Sequence, residues 1–175
     1  MRVIIEGDSC AEPRDDNWPI LLARLKGWYP VNLSEHRSDS DEVLQRLPKA
    51  MYVPPNLYIL QLGQWSSHNE ELGPMYERMN IIVKTLHLAG VKVCLVTPPS
   101  MDPKTVPYAQ AVRDVAKIYN TMLVDVHKHM QAHGADRSWF IDAPDQIPCH
   151  LNLKGALIVT QFFIDRLENP YVGGL

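Results

Sequence analysis

Residues 1–10 read MRVIIEGDSC, an apolar run of strand length that ends abruptly at small and polar residues. A short apolar run stopped by glycine is typical of a buried strand that emerges at the edge of a sheet. We therefore predict a strand over Val3–Glu6 and a tight exit at Gly7. We expect the Asp8 side chain to brace that turn and Ser9 to stand exposed at the head of the sheet.

Strand-length and helix-like segments alternate along the whole chain, which predicts a doubly wound α/β domain with helices on both faces of one parallel sheet. The predicted strands are Val3–Glu6, Tyr29–Leu33, Leu57–Leu62, Val91–Thr97 and Met122–Val124. The predicted helices are Trp18–Lys26, Ser40–Leu47 with Ser40 as N-cap, 74–89 with Gly90 as the stop, Val106–Asn120 and Leu153–Leu167. We assign residues 1–175 to a single domain.

Length, charge and cysteine content restrict the classes of function. The 175 residues carry a net charge of -3 and are 46% hydrophobic, which favours a sizeable core and argues against nucleic acid as a partner. No apolar stretch approaches the ~20 residues that span a bilayer, and no signal peptide is recognisable. The three unpatterned cysteines favour a reducing compartment. We expect a cytoplasmic or otherwise soluble protein, virion components included, with no membrane partner.

Ligands of an open parallel sheet bind beyond the carboxyl ends of its strands. The loops at those ends, here called the rim, are 7–10, 34–39, 63–69, 98–103 and the loop before His150. Ser9 lies on the first of these loops, and His150 closes the last one, immediately before the final helix. A serine hydroxyl needs a base to remove its proton and a third group to fix the tautomer of that base. We therefore predict that Ser9 and His150 meet on the rim.

Three blocks carry a family resemblance: GDS at 7–9 after the first strand, LG at 62–63 after the third, and HLN at 150–152 before the last helix. In this order, over nearly the whole chain, they resemble the GDSL/SGNH hydrolases. The resemblance implies a flavodoxin-like, three-layer α/β/α fold with five parallel strands in the order 2-1-3-4-5. It also implies cleavage of ester, thioester or O-acetyl bonds without a cofactor. Ser9 is then the nucleophile and an oxyanion donor through its N–H, and His150 is the general base.

Two departures from the family pattern fall on the oxyanion side of the predicted site. Arg37 stands where the family's second block has a glycine whose N–H binds the oxyanion. Its side chain is either a solvated loop cation or a contact for an anionic or sugar substrate. Trp65 stands where the third block has an asparagine, a donor that contributes roughly 3 kcal/mol to catalysis. We expect Gln64 or the indole of Trp65 to replace that donor, with Asn69 as a further candidate.

A third departure concerns the acid that orients the histidine. The family places an aspartate three residues before the histidine, and Ile147 occupies that position here. Asp145, five residues before His150, is the predicted catalytic acid, which requires a bulged loop. Asp142 and a backbone carbonyl are the alternatives.

Other histidines and cysteines invite further interpretations. His129 and His133 are four residues apart, as metal ligands on one helix face would be, but no glutamate follows the first of them as in an HExxH motif. We expect them and His127 on a solvated or partly buried face of a helix after the fifth strand, and we predict no metal site. Cys10 and Cys149, each next to a member of the predicted pair, are interpreted as small packing residues rather than as a redox pair or an alternative nucleophile.

Three hypotheses for the function follow. The leading one is a serine esterase or deacetylase that forms an acyl-enzyme on Ser9, with a small-molecule ester or an acylated carbohydrate as substrate. The second, based on Arg37, Trp65 and Ile147, is a catalytically weak or inactive module of the same fold that binds a carbohydrate or a protein. The third is a nucleotide-binding flavodoxin-like domain. It lacks a phosphate cradle, because acidic residues and a single glycine follow the first strand.

Overall fold

The computed structural model describes residues 1–141 and 149–168. Its strands are β1 (Arg2–Gly7), β2 (Tyr29–Asn32), β3 (Leu57–Gln61), β4 (Lys92–Val96) and β5 (Met122–Val124). Its α-helices are α1 (Trp18–Lys26), α2 (Ser40–Ala50), α3 (Ser66–Asn69), α4 (Leu72–Leu88), α5 (Thr105–Tyr119), α6 (Val126–Ala132) and α7 (Leu153–Glu168). Two 3-10 turns cover Ser9–Ala11 and Arg137–Trp139.

The five strands form one parallel sheet in the order β2-β1-β3-β4-β5, which confirms the predicted topology. Gly7 at the end of β1 is the register partner of Gln61 at the end of β3. The loops that leave these two strands therefore start side by side at the rim. In the part of the chain that the structure describes, no helix combines the length and the apolar character needed to cross a bilayer.

Two clusters of buried apolar side chains hold helices on opposite faces of the sheet. One cluster packs α2, α4 and α5 against Ile4 and Leu60. The other packs α1, α6 and α7 against Val3 and Ile59. Because successive side chains of a strand point to opposite faces, β1 and β3 supply both clusters. The result is the three-layer α/β/α arrangement that the resemblance implies.

All predicted strands and helices occur, but the predicted N-cap of α2 is wrong. Asp39, rather than Ser40, caps the helix, and the Glu42 side chain completes a capping box with it. The Ser40 hydroxyl donates instead to Glu70, 2.6 Å away and 30 residues further along the chain. A tertiary contact has therefore moved the cap to the preceding residue, whose carboxylate serves the same purpose.

Candidate active site

The turn after β1 places Ser9. A Cβ added at Gly7 would lie 2.5 Å from the carbonyl oxygen of Gln61, so only glycine fits at this strand end. Asp8 then caps the 3-10 turn, because its Oδ1 accepts the backbone N–H of Cys10 at 2.9 Å. This contact confirms the predicted brace. Ser9 is the first residue of the turn, so its own N–H has no acceptor within the turn.

Ser9 and His150, which are 141 residues apart in the sequence, meet in the structure. His150 Nε2 lies 2.8 Å from Ser9 Oγ, a hydrogen-bond distance. The segment that carries His150 is held by the start of α7 and by an isolated antiparallel bridge between Phe140 and Leu151. The hydroxyl and the imidazole are thus at the distance that proton transfer between them requires.

Ser9 is less exposed than we predicted. Only 6% of its surface is accessible, so the expectation of an exposed serine is wrong. The 3-10 turn folds the residue inward, and the imidazole of His150 lies against its hydroxyl. The Ser9 hydroxyl is therefore directed at the base rather than at bulk water.

The second ring nitrogen of His150 faces a thiol. Cys149 Sγ lies 3.6 Å from His150 Nδ1, and the Cys10 thiol donates to the carbonyl oxygen of Cys149 at 3.2 Å. Cys10 is buried, as we expected of a packing residue, but Cys149 is only half-buried and contacts the imidazole instead. Interaction with the Cys10 thiol, and then with His150, lowers the pKa of Cys149. Cys149 in turn raises the pKa of His150.

Asp145, Asp142 and Ile147 lie outside the described residues. The assignment of Asp145 as the acid that orients the imidazole therefore stays a prediction, and so does the alternative Asp142. Within residues 1–141 and 149–168, Nδ1 of His150 contacts the Cys149 thiol and no backbone carbonyl.

Arg37 has the backbone conformation of a glycine. Its φ of 61° lies in the left-handed region, which L-residues with a side chain seldom adopt. The residue in the family's glycine position thus keeps the backbone shape of glycine, and its N–H donates to none of the described residues. The exposed guanidinium lies over the indole of Trp65, 5.3 Å from the ring centroid, which is within cation–π range. The two substituted positions of the oxyanion side therefore contact each other.

The backbone of Trp65 is tied to the turn that carries Ser9. Asp8 Oδ2 accepts the Trp65 N–H at 3.1 Å, so the indole N–H is the donor that Trp65 has left to offer. Gln64 is buried, and its Oε1 has no partner among the residues described. The side-chain amide of Asn69 donates to the Trp65 carbonyl at 3.0 Å, which makes it the weakest of the three candidates for the missing oxyanion donor.

Solved structures of other proteins share this architecture over almost their whole length. A lipase/acylhydrolase from Enterococcus faecalis matches with a TM-score of 0.82 and 17% identity over 97% of each chain. A member of the lipolytic G-D-S-L family from Veillonella parvula matches with a TM-score of 0.74 and 14% identity, over 94% of this chain and 96% of that one. The chain has the GDSL/SGNH hydrolase fold.

An acetyl xylan esterase, AlAXEase, matches the same fold with a TM-score of 0.79 and 18% identity, over 95% of this chain and all of that one. No family model and no curated relative matches the sequence. The similarity thus lies in the arrangement of the backbone, and at these identities it establishes the GDSL/SGNH fold. The roles of individual residues depend on the geometry described above.

The GDSL/SGNH rim also holds a histidine–aspartate pair that we did not predict. His68 Nε2 lies 3.0 Å from Asp102 Oδ2, an ion-pair distance, although the groups are not aligned for a hydrogen bond. Asp102 is buried and His68 is partly exposed. His68 follows β3, which pairs with β1 in the sheet, so the pair shares the rim with Ser9. The sequence feature that could have revealed this pair is a histidine and an aspartate on the loops after β3 and β4, two strands that are adjacent in the sheet.

A buried charge network lies behind the loop of Arg37. Glu6 on β1 is fully buried, and its Oε1 accepts from Arg46 Nε at 3.0 Å and from Arg46 Nη2 at 2.7 Å. The same guanidinium donates to Ser38 and Glu35, on either side of Arg37. Burial raises the pKa of Glu6 to about 7, although Arg46 opposes this effect. The network ties the Arg37 loop to β1.

His127 and His129 lie on α6, the helix after the fifth strand, as predicted, and His133 is the C-cap residue of that helix. His127 is only 3% exposed, so the expectation that it lies on a solvated or partly buried face is wrong, and burial lowers its pKa. His129 and His133 lie next to each other with ring centroids 4.1 Å apart and ring planes tilted by 31°, on the side of the helix that is partly open to solvent.

Proposed function

We propose that this chain is a serine ester hydrolase that removes a short acyl group through an acyl-enzyme intermediate on Ser9. The observation that carries the proposal is the distance of 2.8 Å between Ser9 Oγ and His150 Nε2. Proteins of the same fold include a lipase/acylhydrolase and an acetyl xylan esterase, which supports an ester as the bond that is broken.

The reaction proceeds in two half-reactions. Ser9 Oγ attacks the acyl carbon while its proton passes to His150 Nε2, and His150 returns that proton to the leaving alcohol as the ester bond breaks. Water then gives a proton to the same nitrogen and attacks the acyl-enzyme, which releases the carboxylic acid and restores the serine hydroxyl. His150 needs a proton on Nδ1 to be a base at Nε2, and Asp145 is the proposed acceptor for that Nδ1–H.

The negative oxygen of the tetrahedral intermediate needs hydrogen-bond donors. The backbone N–H groups of Ser9 and Arg37 are two, and the third is the Gln64 amide or the Trp65 indole. Gln64→Ala and Trp65→Phe separate these alternatives, because the loss of one donor lowers kcat about a hundredfold. The variant that keeps the true donor keeps kcat within a few-fold of the unmodified protein.

The proposed substrate class is a small ester, O-acetylated carbohydrates included. The contact between Arg37 and Trp65 supports a polar alcohol portion, because the guanidinium and the indole N–H are hydrogen-bond donors that lie side by side. The name of the acetyl xylan esterase that shares the fold supports the same class.

Hydrolysis of p-nitrophenyl acetate tests the proposed activity. We expect turnover that Ser9→Ala abolishes and that Ser138→Ala, at an exposed serine outside the rim, leaves unchanged. Unchanged turnover in Ser9→Ala would exclude the acyl-enzyme mechanism.

A catalytically weak or inactive binding module is the second candidate, and the contact between Arg37 and Trp65 favours it. These residues stand where the family has an oxyanion glycine and asparagine, and together they form a surface suited to binding a ligand without catalysis. Calorimetry with acetylated xylo-oligosaccharides distinguishes the two functions. A binding module binds them without releasing acetate, and its affinity falls in Trp65→Ala.

A further inference from the structure

Two thiols and an imidazole form a compact cluster beside the Ser9–His150 pair. The sulfur atoms of Cys10 and Cys149 and a ring nitrogen of His150 all lie within 4.8 Å of one another. Across residues 1–141 and 149–168 this is the one group of three ligand-type side chains so close together. The distance of 3.6 Å from Cys149 Sγ to His150 Nδ1 matches a tetrahedral zinc site, in which bonds of ~2.3 Å to sulfur and ~2.0 Å to nitrogen hold these atoms about 3.5 Å apart.

The cluster has a position for an ion within reach of all three atoms. Three atoms at most 4.8 Å apart share a point within about 2.8 Å of each, so shifts of less than about 1 Å bring them to bonding distance. Cys10 is buried on the turn of the nucleophile, whereas Cys149 and His150 are half-buried on the segment before α7. An ion at this point would link the two segments, and it would enter from the side of the half-buried pair.

We propose that Cys10, Cys149 and His150 form a binding site for a divalent cation of the Zn²⁺ type, and that the bound ion switches off the esterase. Two thiolates and one imidazole suit Zn²⁺ and its softer relatives, whereas Ca²⁺ and Mg²⁺ prefer oxygen ligands. The inhibition rests on the proposed function. The binding of the ion does not.

The inhibition follows from the single proton of a neutral imidazole. An ion on His150 takes the lone pair of Nδ1, so the ring proton resides on Nε2. The thiols of Cys10 and Cys149 release their two protons to solvent, and the imidazole stays neutral. Nε2–H then donates to Ser9 Oγ across the same 2.8 Å contact instead of accepting its proton. Ser9 is left as an unactivated alcohol.

Binding is tested on the whole reduced protein under argon, with Cd²⁺ as a spectroscopic probe. We expect one equivalent to bind with the ultraviolet charge-transfer absorption of a cadmium–thiolate bond. Cys149→Ser weakens binding at least about a hundredfold, since a ligand is lost. Cys94→Ala is the matched control, because Cys94 is buried on β4 and belongs to no such cluster; it binds as the unmodified protein does. His133→Gln removes one of the two neighbouring histidines at the end of α6, and it also leaves the absorption unchanged.

Equal binding by Cys149→Ser and Cys94→Ala, or no thiolate absorption at all, would overturn the site. Cys149→Ser is the deciding variant because Cys149 is half-buried, so its replacement leaves the core intact. Circular dichroism verifies the fold of each variant.

The inhibition is tested with Zn²⁺ and p-nitrophenyl acetate. We expect the rate to fall at least tenfold as one equivalent of Zn²⁺ binds, and to return when a chelator is added. Saturation of the thiolate site without loss of rate, or with a gain, contradicts the tautomer argument. If the metal-free protein has no esterase activity, the proposed function fails, while the cadmium absorption still decides whether the site exists.

Discussion

The rim has two sides, which we name after their proposed roles. On the nucleophile side, Ser9 lies in a buried turn and His150 is held by the start of α7. On the oxyanion side, Arg37 and Trp65 lie on partly exposed loops. Ser9 follows a strand end at which Gly7 has no room for a side chain. Arg37, by contrast, points into solvent and contacts the face of the Trp65 indole. The nucleophile side keeps the serine and histidine of the GDSL/SGNH pattern, and the oxyanion side has lost its glycine and asparagine.

The difference shows which requirements depend on residue type and which on backbone shape. The proposed nucleophile and base must be particular side chains in contact, as Ser9 and His150 are. The second proposed oxyanion donor is a backbone N–H, which an arginine can supply because Arg37 keeps a φ in the left-handed region. Asp8 joins the two sides, because its carboxylate accepts from Cys10 on the nucleophile turn and from Trp65 on the oxyanion loop.

The largest effect is expected from the nucleophile side. His150→Ala removes the base and should lower kcat for p-nitrophenyl acetate by roughly 10³ to 10⁴-fold with the fold intact. The control is His133→Ala, which removes the same side chain at an exposed position. It should change kcat less than twofold. A loss below tenfold in His150→Ala would show that the nucleophile side is not built for proton transfer.

The second largest effect is expected from Asp8, which links the two sides, and it concerns the stability of the protein. Asp8→Ala leaves the buried N–H of Cys10 and the partly buried N–H of Trp65 without an acceptor, so the free energy of unfolding should fall by about 3 kcal/mol. Urea titration measures this change. Asp15→Ala, at an exposed carboxylate, is the control and should stay within about 0.5 kcal/mol of the unmodified protein. Equal stability of the two variants would mean that the two sides are held independently.

The network behind the Arg37 loop should make stability depend on pH. The pKa of Glu6 rises from 4.5 to about 7 on folding, so the folded state holds this proton more tightly. The stabilisation is therefore complete below pH 4.5 and is lost as the pH rises through 7. The difference in unfolding free energy between the unmodified protein and Glu6→Gln should fall by up to roughly 3 kcal/mol across this range. Parallel stability curves in urea at pH 4.5, 6 and 8 would contradict this.

The smallest effect is expected at Arg37 itself. Arg37→Gly relieves a left-handed φ and keeps the backbone N–H, so it should raise the free energy of unfolding by at most about 1 kcal/mol and change kcat less than threefold. Arg37→Ala loses the guanidinium but keeps the strain, and it separates the two contributions. If both variants lost activity as His150→Ala does, the guanidinium itself would take part in the reaction.

The sheet and its order could be predicted because each strand is a short apolar run with a clear stop, and because the alternation with helices permits few topologies. Local sequence patterns could not predict contacts between residues that are far apart in the chain. Ser40 has the residue type of an N-cap, yet its hydroxyl donates a hydrogen bond to Glu70. The sequence between the two residues gives no indication of that contact.

The site was predictable to the extent that sheet topology places residues on the rim. The approach of Ser9 and His150 follows from the strand order, since both lie on loops at the same edge. The thiol beside Nδ1 depends on how the Cys149 side chain turns, which spacing does not encode. His68 and Asp102 lie on the loops of adjacent strands, and an inspection of those loops for charge pairs would have found them.

The central claim is that His150 activates the Ser9 hydroxyl, and labelling with a fluorophosphonate tests it most directly. Such a probe bonds to a serine whose proton a neighbouring base can remove. We expect mass spectrometry to find one adduct, on the peptide that contains Ser9, and none after the same treatment of His150→Ala. An unlabelled protein, or an adduct that forms equally well without His150, would contradict the claim.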